Sequence, residues 1–174
     1  MDVIAHPPGP REKKLFVADM DSTMIGQECI DELADYAGFK PQVAEITERA
    51  MHGELDFAGA LKERVALLNG LSVGAIDQCL AERIRPNVGA ATLVRTMRAR
   101  GTTTVLVSGG FTAFVEPIAR QIGFERFEAN ILGASAGQLT GLTEGRIVDS
   151  RRKHDVLTEA RAELGLALDE TIAI

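Results

Sequence analysis

Two aspartates, Asp19 and Asp21, stand two positions apart directly after the apolar run Leu15-Phe16-Val17-Ala18. Carboxylates held that close repel each other, and a divalent cation is the simplest group that would offset them. A capped turn is the other use of such a pair. Farther along, Val105-Leu106-Val107 runs into Ser108-Gly109-Gly110 and then a helix-forming stretch. Small residues there expose backbone N–H groups beside a positive helix end, which makes a ready anion site. Alone, this is also what an ordinary strand-to-helix turn looks like. A third cluster, Ser150-Arg151-Arg152-Lys153, opens a predicted helix with cations. Cations at a helix N-terminus oppose its dipole by roughly 0.3–1 kcal/mol each. An anion held between this turn and the helix after Gly110 would account for their placement, although many charge runs are simply solvated. Together the three clusters describe a site for a metal and a phosphate.

Such a site needs strand ends that converge. The apolar run from Lys14 to Ala18 predicts a buried strand, and Thr103 to Val107 predicts a second. Between them, periodic apolar positions predict four helices. The first carries Ile30, Leu33, Ala34 and Ala37 and stops at Gly38; the second carries Val43, Ile46 and Ala50. The third carries Leu61, Val65 and Leu68, and the fourth, capped by Ser72, carries Ile76 and Leu80. Helices follow at Ala90 to Arg100, Thr112 to Ile122 and Arg151 to Leu164, with the last capped by Asp149 or Ser150. Phe127 to Leu132 and Gln138 to Val148 predict short strands and a hairpin, and Thr171 to Ile174 another buried strand. Strand–helix alternation predicts an α/β fold, a doubly wound parallel (Rossmann-like) sheet with an inserted helical cap. In such sheets ligands bind beyond the carboxyl ends of the strands, where the first two clusters lie. The expected division is a linker or upstream remnant at 1–13, a core at 14–27 and 86–174, and a cap at 28–85.

Composition narrows the function. The 174 residues carry 19 basic and 25 acidic side chains, a formal charge of −6. That balance argues against general nucleic-acid or anionic-membrane binding. Apolar runs fall short of the roughly 20 residues a bilayer span needs, and Met1 to Lys14 lacks the apolar region of a signal peptide. The two cysteines, Cys29 and Cys79, are too few for a disulfide framework. A cytoplasmic protein with a small-molecule partner is the expectation. His6, His52 and His154 lie in no ligand spacing.

The segment Asp19-Met20-Asp21-Ser22-Thr23 resembles the first motif of the haloacid-dehalogenase-like superfamily of phosphatases. Val105 to Gly110 resembles its second motif, and Lys153 stands where its third-motif lysine belongs. The longer stretches, Asp19 to Ile25 with Glu28 and then Val107 to Phe111, are similar to those of the phosphoserine phosphatases within that superfamily. The similarity runs from about Lys14 to the end of the chain. It implies an Mg²⁺-dependent phosphomonoester hydrolase that converts O-phosphoserine to serine and phosphate, the last step of serine biosynthesis. Asp19 would be the nucleophile that forms an aspartyl-phosphate. Asp21 would protonate the leaving oxygen and then activate water. Ser108, the Gly109 amide and Lys153 would hold the phosphate, while the Asp19 carboxylate and the Asp21 backbone carbonyl would coordinate Mg²⁺. In the cap, Glu28 would meet the substrate ammonium and Arg64 its carboxylate, with Phe57 beside them. Phe57 and Arg64 are seven apart, so on one helix they share a face. Each has a plain structural use as well: dipole partner, core residue, surface ion pair.

The superfamily's fourth motif, commonly Gly-Asp-Gly-x-x-Asp, directly follows the strand that Thr171 to Ile174 begins, and this sequence stops at Ile174. The expectation is therefore a chain shortened at its C-terminus with a weakened metal shell. A catalytically impaired phosphate-binding fragment is one alternative. Phosphoryl transfer to another alcohol, such as homoserine, is a second. A homodimer is left open.

Overall fold

The computed structural model describes residue 9 and residues 11–174, so most of the expected lead-in at 1–13 lies outside the described residues. Five strands form one sheet: β1 (Leu15–Ala18), β2 (Thr103–Phe111), β3 (Arg126–Ser135), β4 (Gln138–Glu144) and β5 (Thr171–Ala173). Their order is β4-β3-β2-β1-β5. β1, β2, β3 and β5 are parallel, and β4 returns antiparallel to β3 as a hairpin.

β1 shows why these residues make a central strand. All four are buried, and the two-residue period sends them to opposite faces. Leu15 and Val17 pack with Val105, Val107, Val156 and Ala160, which places helix α7 (Ser150–Glu163) on one face. Phe16 and Ala18 join the larger core on the other face, with Phe114, Val115 and Ile118 of α6 (Thr112–Ile122) and Val94 of α5 (Ala90–Ala99). Truncating a fully buried side chain there, such as Phe114 to Ala, would cost about 3–5 kcal/mol.

Between β1 and α5 lie four helices, α1 (Cys29–Tyr36), α2 (Lys40–Met51), α3 (Phe57–Ala66) and α4 (Gly74–Arg83). Asp56 caps α3 by accepting the Gly59 N–H at 2.7 Å, and α1 ends just before Gly38, whose φ is +82°. Ser72 stands two residues before α4 and accepts the Gly74 N–H rather than occupying the cap position itself.

Two expectations need correction. β2 runs four residues beyond Val107, through Ser108-Gly109-Gly110 to Phe111, because its pairing with β3 resumes after an irregularity. β5 is an exposed edge, not a buried strand. Ile172 is 37% and Ile174 51% exposed, since among the described residues β5 pairs only with β1.

Candidate active site

β1 ends at Ala18, and its next residue begins the site. The Asp19 N–H is held by the Ile174 carbonyl at 2.9 Å, which fixes the direction in which the chain leaves the sheet. Asp19 Oδ1 accepts the Met20 N–H at 2.8 Å, and Oδ2 accepts Lys153 Nζ at 2.5 Å. Three residues then fold into a tight turn over Met20, with Thr23, Met24 and Ile25 all donating to the Met20 carbonyl. That turn directs Asp21 inward. Its Oδ1 is buried and has no hydrogen-bond partner, while Oδ2 lies 2.8 Å from where a Cβ on Gly110 would sit. A side chain at 110 would therefore displace the carboxylate.

Burial pushes the Asp21 carboxyl up from the usual 3.8 to about 6, with Glu28 and Asp19 adding negative charge and polar contact from Cys29 partly offsetting it. Burial and the neighbouring Asp21 in turn raise the Cys29 thiol well above its ordinary range, so Cys29 packs and does not ionise. Cys79 is likewise buried and pushed up to about 11.

Ser108 is fully buried at the carboxyl end of β2, and its Oγ accepts the Gly110 N–H at 2.9 Å. From the other face, Asp149 caps α7 by accepting the Arg152 N–H at 2.8 Å. Of the basic run that opens α7, only Lys153 reaches the site. Arg152 turns away and forks onto Glu128 at 2.5 and 2.8 Å, with Glu159 at 2.7 Å, and Arg151 is exposed. The helix dipole objection to three cations in one turn is thus met by local carboxylates for one of them and by Asp19 for another.

The helices between β1 and α5 supply the opposite wall. Phe57 opens α3, and its ring tip would lie 2.9 Å from a Cβ on Gly109, so a glycine is what lets the ring rest on that loop. Arg64, seven residues on, is half-buried and makes no ion pair among the described residues; its Nε donates only to the Ala60 carbonyl of its own helix at 3.3 Å. Burial lowers its pKa, and the nearby Asp31 and Glu28 oppose that shift. Glu28 stands before α1, and its Oε1 accepts the Ser22 hydroxyl at 2.6 Å. Ser22 pays for this with a left-handed φ of +54°.

All eight residues singled out from the sequence (Asp19, Asp21, Glu28, Phe57, Arg64, Ser108, Gly109 and Lys153) line one cavity of about 180 Å³, together with Ile30, Leu61, Gly110 and Phe111. A larger, mostly apolar cavity of about 550 Å³ lies between α1 and α2 and contains none of this chemistry. Sequence reasoning missed Ser22 as the holder of Glu28. It also missed Asn130, a 1% exposed side chain on β3 that bonds the Gly109 carbonyl. Asparagine is depleted in strands, and one within the predicted strand Phe127 to Leu132 was the available signal.

The haloacid dehalogenase-like hydrolase family matches residues 16–174. The chain is 43% identical over 166 residues to the phosphoserine phosphatase of Polaromonas sp., covering 92% of this chain and 70% of that one. It is 46% identical over 162 residues to the phosphoserine phosphatase of Streptococcus thermophilus, covering 93% and 75%. The chain belongs to the phosphoserine phosphatases of the haloacid dehalogenase-like hydrolases. Some relatives are much longer: the chain spans 51% of the Archaeoglobus fulgidus phosphoserine phosphatase, at 39% identity. Among solved structures, a phospho-aspartyl intermediate analogue of phosphoserine phosphatase superposes with a TM-score of 0.84 at 36% identity, covering 94% of this chain and 78% of that one. A substrate-bound phosphoserine phosphatase complex gives 0.84 at 35%, with the same coverages, 94% and 78%.

Members of this family bind a hard metal cation, and the donor chemistry here fits a partial shell. Among the described residues no group of three or more His, Cys, Asp or Glu side chains converges as a metal cluster. The Asp19 carboxylate and the Asp21 backbone carbonyl nevertheless supply oxygen donors of the kind a hard cation takes, with water able to fill the remaining positions.

Proposed function

We propose that this chain hydrolyses O-phosphoserine to serine and phosphate with Asp19 as nucleophile, in a metal-dependent reaction. The observation that carries the reading is the single cavity in which a nucleophile, a high-pKa carboxyl, a phosphate cradle and a pair of opposite charges meet. The phosphate end would lie between Ser108, the Gly109 N–H and Lys153, and the amino-acid end between Glu28 and Arg64. An acid for an ammonium and a forked guanidinium for a carboxylate describe an amino acid's two charges. Phe57, packed over Gly109, would stand beside the substrate between the two ends.

In the first step an Asp19 carboxylate oxygen forms a bond to phosphorus as the bond to the serine oxygen breaks. Asp21 transfers its proton to that departing oxygen. Its pKa of about 6 makes the protonated form accessible near neutral pH. Asp21, now ionised, then takes a proton from water as water's oxygen attacks phosphorus and releases Asp19. Lys153, already against Asp19, balances the charge of the phosphoryl oxygens throughout. Mg²⁺, which the Asp19 carboxylate and the Asp21 backbone carbonyl would hold, would neutralise phosphoryl charge and orient the phosphate when bound.

The helices α1–α4 form the cap, spanning the segment 28–85, and the sheet with α5–α7 the core. No helix among the described residues is long and apolar enough to cross a membrane. A cytoplasmic enzyme supplying serine fits the reading, and the two free, buried cysteines suit a reducing compartment. The test is phosphate release from O-phosphoserine with Mg²⁺ and with EDTA. Release that depends on Mg²⁺ and disappears in Asp19→Asn is expected; release that survives Asp19→Asn would sink the assignment.

A further inference from the structure

Between Val107 and Phe111, β2 advances four residues while β3 advances only two, from Glu128 to Asn130. The excess is the Ser108-Gly109-Gly110 bulge, and it draws backbone groups out of the ladder where Ser108 and Gly110 are buried. Asn130 sits where the strands rejoin, paired with Phe111 and 1% exposed. Its Nδ2 donates to the Gly109 carbonyl at 2.8 Å. Its Oδ1 accepts the Val148 N–H at 2.8 Å. Val148 is itself buried, and its carbonyl lies 3.5 Å from the Cβ position of Gly109, so the two segments abut. Asp149 follows at once, caps α7, and accepts the Lys153 N–H on its carbonyl at 2.9 Å.

We propose that Asn130 is a positioning residue for phosphoryl transfer: one buried carboxamide spans the phosphate loop and the start of α7, and so sets Ser108 and Gly109 in register with Lys153. It rests on the phosphatase reading above for its kinetic assay. An amide is required because one end must donate and the other accept. Aspartate has the same shape but offers only acceptors to the Gly109 carbonyl, and leucine offers neither. Neither Glu28 nor Arg64 depends on this link. Positioning errors of about 1 Å can cost roughly 100-fold in rate.

The experiment compares Asn130→Asp and Asn130→Ala with the parent in kcat and KM for O-phosphoserine and for p-nitrophenyl phosphate. It adds the inhibition constant of inorganic phosphate and a urea unfolding curve. The expected result for folded variants is a kcat lower by about 100-fold on both compounds, with KM for O-phosphoserine within about 3-fold and phosphate bound about 10-fold more weakly. A folded variant that keeps kcat within 2-fold, or that loses only KM for O-phosphoserine, overturns the proposal. Should neither variant fold, amide exchange in the parent decides. A Val148 N–H protected, and protected further by inorganic phosphate, supports the link; exchange at the rate of an open loop overturns it. If the parent releases phosphate from neither compound, the phosphatase reading fails. The proposal is then judged on phosphate affinity alone: about 10-fold weaker binding in the variants supports it, and unchanged binding overturns it.

Discussion

Replacing Asp21 by asparagine should abolish turnover and at the same time stabilise the metal-free protein. The folded site raises this carboxyl from 3.8 to about 6, chiefly by burial. At about 1.4 kcal/mol per pH unit, keeping it ionised in the folded state costs about 3 kcal/mol. The sign follows from proton binding. Between pH 3.8 and about 6 the folded chain holds a proton that the unfolded chain has lost, so stability falls as pH rises through that window and the full cost applies above it. Asparagine has the same shape and no charge. Its amide must still find partners beside Gly110 and Ser108, which offsets up to about 2 kcal/mol at either pH, so a gain of about 1–3 kcal/mol at pH 7.5 is expected, smaller by about 2.5 kcal/mol near pH 4. Urea unfolding in EDTA at the two pH values measures it. An Asp21→Asn chain no more stable than the parent at pH 7.5, or equally shifted at both pH values, would refute the reasoning.

Other outcomes follow from the same geometry. Arg64→Ala should raise KM for O-phosphoserine about 10- to 100-fold, the worth of one charge-assisted carboxylate contact, while leaving p-nitrophenyl phosphate nearly unchanged; steady-state kinetics on both compounds checks it. Lys153→Met removes the cation 2.5 Å from Asp19 and should lower kcat by about 100-fold or more, measured as phosphate release. Gly110→Ala would place a methyl 2.8 Å from Asp21 Oδ2 and 3.1 Å from Ser108 Oγ, so kcat should fall even where circular dichroism shows an intact fold.

Much of this was legible in the chain because the chemistry sits at strand ends and the signals are local. Leu15 to Ala18 reads as a strand, and whatever follows it must lie at the strand's carboxyl end, so Asp19 and Asp21 were placed by four preceding residues. Phe57 and Arg64 came from the family resemblance, helical spacing put them on one face, and both line the cavity from α3. What depends on distant chain was not legible. The basic turn of α7 looked uniform, yet Arg152 is claimed by Glu128 on β3, 24 positions away, and only Lys153 reaches Asp19. Asn130 is meaningful only once the β2 bulge exists, and the bulge is a property of pairing. Thr171 to Ile174 reads as buried because its residues are apolar, but burial belongs to the sheet order, which leaves β5 at an edge.

The central claim is that Asp19 becomes covalently phosphorylated, and trapping that intermediate tests it most directly. The protein would be mixed with ³²P-labelled O-phosphoserine and Mg²⁺, quenched in acid and digested. The account predicts acid-stable, hydroxylamine-labile label on the peptide that contains Asp19, and none in Asp19→Asn. Label on another residue would contradict it.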